Sequence, residues 1–121
     1  MSLDAAARRR YARQLLLGEI GESGLERLLE ARFRRAADGD AEAYAVAAEY
    51  LRRAGCAEDE SGSEVRVPDT DAVIRFAGSP ALREPAAMVL GAFSAVEHLK
   101  EALGISAARE LPPELTLSTE V

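Results

Sequence analysis

The sequence predicts a mainly α-helical, compact domain of four to six helices, and three observations lead to this fold class. Apolar residues recur at helical spacing along most of the chain. Glycines and capping residues divide the chain into segments of helical length. The 121 residues, of which 48% are hydrophobic and 30% charged, fit a single domain, 1–121. At most a small two-stranded β element is expected, near 65–67 and 115–117, where apolar and polar residues alternate.

The first two helices are predicted in the N-terminal third of the chain. The first covers about 4–17 and ends at Gly18. The second begins at Ser23, which with Glu26 matches the capping box, a pair whose side chains satisfy unpaired donors at a helix start. Its apolar residues keep helical spacing and predict one buried stripe: Leu25, Leu28, Leu29 and Phe33.

A third helix is predicted to begin after Asp40, a good N-cap, and to end near Ala54 with Gly55 as its stop. Gly39 suits the position just past the end of the helix before it. The segment 57–64 is acidic and rich in Ser and Gly, so an exposed acidic loop is expected there. The residues expected to face inward from the third helix are Tyr44, Ala47, Tyr50, Leu51 and Ala54.

The C-terminal half begins with a short helix over Val73, Ile74 and Phe76. Asp69 or Asp71 is expected to cap this helix, and Gly78 is expected to end it. Ser79-Pro80 is expected to restart a helix with its proline in the first turn.

The last helix ends at Gly104, and Pro85 either kinks this segment or begins a new helix. A C-terminal tail, 105–121, follows. The helix carries the longest apolar stripe of the chain, which consists of Val89, Phe93, Val96, Leu99 and Leu103. Since only 5% of the residues are aromatic, the core is expected to be thin. The stripe is therefore a candidate association surface.

Composition excludes several classes of function. The net charge of −6 makes nucleic acid an unsuitable partner, and no apolar run approaches the roughly 20 residues of a membrane span. The single cysteine, Cys56, cannot form an internal disulfide, which indicates a reducing, cytoplasmic setting. Because Lys100 is the only lysine while Arg and Ala are abundant, a bacterial source is expected.

No complete catalytic site, cofactor site or metal site is predicted. The only histidine, His98, has no second imidazole or nearby cysteine beside it, so it is interpreted as a partly exposed structural residue. Cys56 precedes the carboxylates of 58–60, which raise the pKa of a thiol, so it is not expected to be a nucleophile. Those carboxylates are interpreted as a solvated charge run.

Two segments resemble the ThiF/MoeB/HesA family, E1-like enzymes that adenylate the C-terminus of ubiquitin-like sulfur carriers. Tyr11, Arg13 and Gln14 form the Tyr-x-Arg-Gln motif that is typical of the start of the family, and an Ile-Gly turn follows at 20–21. The segment 89–104 resembles the late helix of the family, with Gly, Ala, Glu and Lys at matching intervals. The segment 43–55 resembles its first Rossmann helix.

The stretch 33–42 departs from the family. There the family has a buried strand and a Gly-x-Gly-x-x-Gly turn that holds ATP phosphates. This chain has Arg34 and Arg35 instead, retains only Gly39 of the three glycines, and lacks the zinc-binding Cys-x-x-Cys pairs. Two arginines are not expected in a central strand covered on both faces. The resemblance therefore implies a shortened relative with a degenerate Rossmann core, deleted or remodelled into helix.

Two roles follow from this interpretation. The first is a non-enzymatic helical protein that acts by association with other proteins, most simply as a homodimer. The alternative is an accessory or regulatory subunit of a full-length E1-like paralogue. In family dimers the arginine of the Tyr-x-Arg-Gln motif reaches the ATP site of the neighbouring subunit, so the resemblance implies that Arg13 contacts phosphate in trans.

Overall fold

Helices and short strands alternate along the chain. A computed structural model describes Ala6 and residues 21–105 and 109–117. The mainly α fold class is confirmed. The described helices are α1 (Gly21–Glu30), α2 (Ala41–Ala54), α3 (Thr70–Ala77) and α4 (Arg83–Ala102), the strands are β1 (Arg32–Arg35), β2 (Ala57–Glu58) and β3 (Ser63–Val65), and a 3-10 helix spans Pro80–Leu82.

Capping residues set the ends of the middle helices as predicted. Asp40 caps α2, and Gly55 ends it in the left-handed conformation, with φ 109°. Asp69 caps α3, and Gly78 ends it with φ 71°. The predicted start of α1 at Ser23 is less accurate, because the helix already contains Gly21 and Ser23 lies inside it. Leu25 and Leu28 are buried and anchor α1, whereas Ser23 is exposed.

The predicted two-stranded β element is wrong in both its number of strands and its partners. The sheet has three parallel strands in the order β2-β1-β3, with β1 in the centre. Of the run 65–67, only Val65 belongs to a strand. The run 115–117 is not a strand, because its backbone pairs instead with the end of α3, where the N–H of Leu117 donates to the carbonyl of Phe76 at 2.7 Å.

The expectation that Arg34 and Arg35 exclude a central strand is also wrong. This stretch is β1, not helix, and Gly39 lies in the turn after it. The strand tolerates arginines because only Phe33 is fully buried and both guanidinium groups donate to backbone carbonyls in neighbouring turns. Nε of Arg34 donates to the carbonyl of Gly62 at 3.0 Å, and Nη2 of Arg35 donates to that of Gly39 at 2.8 Å.

The segment 57–64 is largely exposed, as predicted, but it contains β2 and the start of β3. The turn between these strands passes directly against the backbone of β1. A Cβ on Gly62 would lie 2.5 Å from the carbonyl carbon of Arg32, so a side chain does not fit there. Glycine at this position lets the two strands flank β1 on opposite sides.

Helices α2 and α4 pack tightly against each other to form the centre of the core. A Cβ on Gly91 of α4 would lie 2.4 Å from the carbonyl oxygen of Ala43 in α2, so the two backbones nearly touch. Tyr50 of α2 was expected to face inward, but it is 47% exposed. The buried core cluster is rich in small residues from both helices, among them Ala43, Ala47, Ala48, Ala86, Ala87 and Ala95.

A new helix does begin near Pro85, which was one of the two predicted alternatives, because the 3-10 helix ends at Leu82 and α4 starts at Arg83. Pro85 lies in the first turn of α4, where a residue has no intrahelical acceptor for its N–H, so proline loses no hydrogen bond there. The other end of α4 is held by α1, since Nη1 of Arg27 donates to the carbonyl of Leu103 at 3.0 Å. Gly104 follows with φ 73°.

Candidate functional sites

The turn between β1 and α2 is the first candidate site, because anions bind at such strand-turn-helix junctions. Here the carboxylate of Asp40 occupies the helix start itself. Asp40 is 3% exposed, and its Oδ2 accepts the N–H of Ala43 at 2.9 Å. Its Oδ1 accepts from the hydroxyl of Thr70 at 2.8 Å and from Nη2 of Arg83 at 3.3 Å.

Asp40 therefore joins the first residues of three helices. Burial raises the pKa of this carboxyl, but the bonds from Ala43 and Thr70 and the charge of Arg83 outweigh burial and hold the pKa below its usual value. The carboxylate is charged and satisfied at neutral pH. A phosphate at this helix start would have to displace a bonded negative charge, which makes the junction a structural centre and a poor anion site.

A second polar cluster links α2 to β2. The hydroxyl of Tyr44 donates to Oε2 of Glu58, and Nη1 of Arg52 lies 3.4 Å from Oε1 of the same carboxylate. Burial and the Glu58 carboxylate raise the pKa of Tyr44 well above its usual value. Tyr44 also packs on Phe33, with 6.5 Å between ring centroids. The tyrosine stays protonated and fixes the end of β2 against α2, so it is no general base.

Cys56 and His98 have the surroundings of structural residues. Cys56 is buried, and burial raises its pKa to about 11, so the thiolate is scarce at neutral pH. The cause is burial and not the nearby carboxylates that the sequence suggested. His98 is half-buried, and burial lowers its pKa, with the Glu101 carboxylate opposing this. In the described ranges no three metal-binding side chains cluster.

A groove of about 590 Å³ lies between α3, α4 and the tail residues 109–115. It contains both signs of charge. Its acidic residues are Asp38, Glu64, Asp69 and Glu110, and its basic residues are Arg66, Arg75 and Arg109. Four carboxylates and three guanidinium groups nearly balance, so the groove has too little surplus charge to select an anionic or a cationic ligand.

One side of the groove depends on a buried carboxylate that sequence reasoning missed. Glu97 is 6% exposed, accepts from Nζ of Lys100 at 2.9 Å and accepts the N–H of Arg109 at 2.9 Å. The bond from Lys100 is the main cause that lowers its pKa. Glu97 thereby fastens the tail to α4. The sequence interpretation considered His98 and not its neighbour Glu97. The available signal for Glu97 is Lys100, which lies one helical turn away, where the two side chains can pair.

The predicted association stripe is divided between core and surface. Val89 and Val96 are 43% and 53% exposed. Phe93 is half-buried beside the groove. Leu99 and Leu103 are also half-buried, and they pack against the core cluster. Arg13, the predicted phosphate contact, lies outside the described residues.

Three residues of the stripe, Val89, Phe93 and Val96, belong to a larger surface that the sequence predicted only in part. Helix α4 has no charged residue between Glu84 and Glu97, and its one polar residue there, Ser94, is buried. The signal was present in the sequence as this charge-free run. We call the part of α4 directed away from α2 the α4 outer face, and its residues are Pro85, Met88, Val89, Ala92, Phe93 and Val96.

Among the described residues, no helix is both long and apolar enough to span a bilayer. Comparisons with known proteins give no closer identification. No protein-family model, no curated protein and no solved structure matches this chain.

Proposed function

We propose that this protein is a non-enzymatic module that acts by protein association, and that it self-associates through the α4 outer face. The observation that carries the proposal is the exposure of large apolar side chains on this face. Met88, Val89 and Val96 are 55%, 43% and 53% exposed. They lie on the same side of α4. Met88 and Val89 are adjacent, and Val96 follows them by eight and seven residues, which is about two helical turns.

Helix α4 is apolar on both sides, which is typical of a helix that is buried all round. Its inner side is covered by α2 and α3. Its outer side is uncovered in the described part of a single chain, where a surface helix ordinarily carries charged residues. Association supplies the missing cover and removes apolar surface from water, at about 25 cal/mol per Å².

A second copy of the chain is the partner that fits this face. The net charge of −6 makes two copies repel each other over most of their surface. The α4 outer face carries no charge, so two copies can meet there without bringing carboxylates together. A symmetric dimer places the same patch on both subunits, and an uncharged apolar patch is complementary to itself.

Other observations support two further parts of the proposal. These parts are descent from the ThiF/MoeB/HesA family and the loss of enzymatic activity. In the family a strand, a turn and a helix hold ATP phosphates, and β1, the turn and α2 have this order here. Asp40 holds the helix start with its own carboxylate. Titration calorimetry with ATP and magnesium is expected to show no heat of binding. Saturable binding would contradict the proposal that adenylating activity has been lost.

Light scattering coupled to size exclusion tests self-association. The wild type is expected to elute as a dimer that dissociates on dilution. Val96→Glu is expected to elute as a monomer, since it brings two carboxylates into the interface. The matched control is Ile74→Glu on α3, because Ile74 and Val96 are equally exposed, at 53%. A monomeric wild type at all concentrations, or equal loss of the dimer in both variants, would remove the proposal.

A further inference from the structure

The C-terminal segment 109–117, which we call the strap, connects α4 to α3 along one side of the groove. At one end of the strap, the N–H of Arg109 donates to Oε1 of Glu97 on α4 at 2.9 Å. At the other end, the N–H of Leu117 donates to the carbonyl of Phe76 on α3 at 2.7 Å. The strap is therefore fastened to two helices by the backbone of its terminal residues.

The strap is attached more weakly than the helices. None of its nine residues is buried, seven are exposed, and only Leu111 and Leu117 are half-buried against the core cluster. Each of the four helices, by contrast, buries at least two residues. Ordering nine residues costs conformational entropy, which so little buried apolar surface offsets only in small part. Segments of this kind open locally while the rest of a fold stays intact.

The strap also borders the α4 outer face. Leu90 and Phe93 of α4 line the groove together with Leu111 and Leu115 of the strap. Phe93 belongs to the α4 outer face, so the groove and the face meet at this ring. Release of the strap removes one wall of the groove and leaves Leu90 and Phe93 beside the exposed part of the face. The apolar surface that a second copy can contact then becomes wider.

The charge of the strap acts in the same direction. The strap carries two exposed carboxylates, Glu110 and Glu114, and one guanidinium group, that of Arg109. While it is attached, it holds this negative excess at the border of an uncharged face. Two copies with a net charge of −6 each already repel each other, so carboxylates beside the contact oppose association further.

We infer that the strap restricts self-association, and that its release strengthens the pairing of two copies through the α4 outer face. This inference rests on the proposed function and adds its regulation. In the attached state, the strap covers surface around Phe93 that a second copy would otherwise contact. Since the released state alone offers the whole face, the apparent dissociation constant of the dimer depends on how much of the chain is released.

Light scattering over a dilution series of the full chain tests this regulation. Leu111→Ser combined with Leu117→Ser removes both half-buried leucines of the strap and changes no residue of the helices. The dissociation constant of the dimer should fall about tenfold, because it varies inversely with the population of the competent state. The matched control is Leu115→Ser in the same strap, where the leucine is 47% exposed and the constant should stay unchanged.

A third substitution locates the surface that release uncovers. Adding Val96→Glu to the double variant should abolish the gained association, because the carboxylate lies in the α4 outer face. Association that survives Val96→Glu would overturn the inference, since the strap would then cover a different surface.

Hydrogen exchange of the wild type tests release without any substitution. The N–H groups of Arg109 and Leu117 should show similar protection factors, lower than those of the buried amides in α2 and α4. Protection as high as in these helices would show that the strap does not open by itself and would overturn the inference. This measurement decides the question if circular dichroism shows that the double variant is unfolded.

Failure of the regulation is distinguishable from failure of the proposed function. A folded double variant that dimerises no more tightly than the wild type overturns the inference. An equal gain in Leu115→Ser overturns it as well, because loss of the two half-buried leucines would not be the cause. If the wild type and every variant stay monomeric at all concentrations, the proposed self-association itself is overturned.

Discussion

The two sides of α4 differ in a way that explains both the fold and the proposed function. The side that packs on α2 is made of small residues, among them Ala87, Gly91 and Ala95. The opposite side presents large ones, Met88, Val89 and Val96, to the surface. Size, not hydrophobicity alone, selects the buried side, because the two helix backbones approach too closely for large side chains.

The largest effect is expected from filling the close contact on the inner side. Gly91→Ala should lower the free energy of unfolding by about 3 kcal/mol, because the new Cβ would lie 2.4 Å from the carbonyl oxygen of Ala43 and 2.7 Å from Cβ of Val46. The gain of about 1 kcal/mol in helix propensity is too small to offset this. Urea unfolding followed by circular dichroism measures the change.

Gly39→Ala is the matched control for Gly91→Ala. A Cβ on Gly39 would have its nearest neighbour, the carbonyl oxygen of Val67, at 3.4 Å, an ordinary contact. Its φ is not positive, so alanine is not strained there. We expect a change within about 0.5 kcal/mol. If Gly91→Ala changed the free energy of unfolding as little as Gly39→Ala, this result would contradict the close contact between α2 and α4.

The next largest effect is expected at the junction of the three helices. Asp40→Ala should cost about 2 kcal/mol, since it removes the cap of α2 and leaves Thr70 and Arg83 without this acceptor. Asp69→Ala is the control, because Asp69 caps only α3 and its bond to Ala72 is exposed; about 1 kcal/mol is expected there. Thermal unfolding measures both changes. Equal losses of stability in Asp40→Ala and Asp69→Ala would contradict the proposal that Asp40 joins three helices.

Acid should weaken the same junction. The pKa of Asp40 is lower in the folded chain than its usual value of 3.8, so its charge stabilises the fold above that pH. This stabilisation is lost as the pH falls through the lower, folded pKa. Between about pH 5 and pH 2 the free energy of unfolding should therefore fall more steeply in the wild type than in Asp40→Asn. Parallel curves for the two proteins would show that Asp40 is not the group that titrates.

The smallest effect on the single chain is expected on the outer side of α4. Val96→Ala removes a side chain that is 53% exposed, so at high dilution it should change the free energy of unfolding by less than about 0.5 kcal/mol. Leu90→Ala, on the inner side and 5% exposed, should cost about 3 kcal/mol. A large loss in Val96→Ala at high dilution would mean that the outer side is covered within one chain.

The helices could be predicted from sequence because their ends have local causes. Asp40, Gly55, Asp69 and Gly78 act on backbone groups within a few residues, and all four end or begin helices as expected. The strands could not be predicted, since β1, β2 and β3 are short and depend on pairing across the chain. Phe33 fitted the spacing of α1, although it is buried from β1.

The candidate sites were predictable to a smaller extent. Asp40 was identified as a cap, but its bonds to Thr70 and Arg83 join residues that are 30 and 43 positions away, which no local pattern reveals. Of the large apolar residues of α4, the sequence placed five in one stripe. It could not show that Leu99 and Leu103 pack against the core while Val96 is 53% exposed, because this depends on where α4 crosses its neighbours.

The central claim is that a second copy covers the α4 outer face, and the concentration dependence of thermal unfolding tests it most directly. A dimer is stabilised by mass action, so a hundredfold increase in protein concentration stabilises it by up to about 2.7 kcal/mol. The midpoint of the wild type should rise with concentration, and that of Val96→Glu should stay constant. A wild-type midpoint that does not change with concentration would contradict the claim.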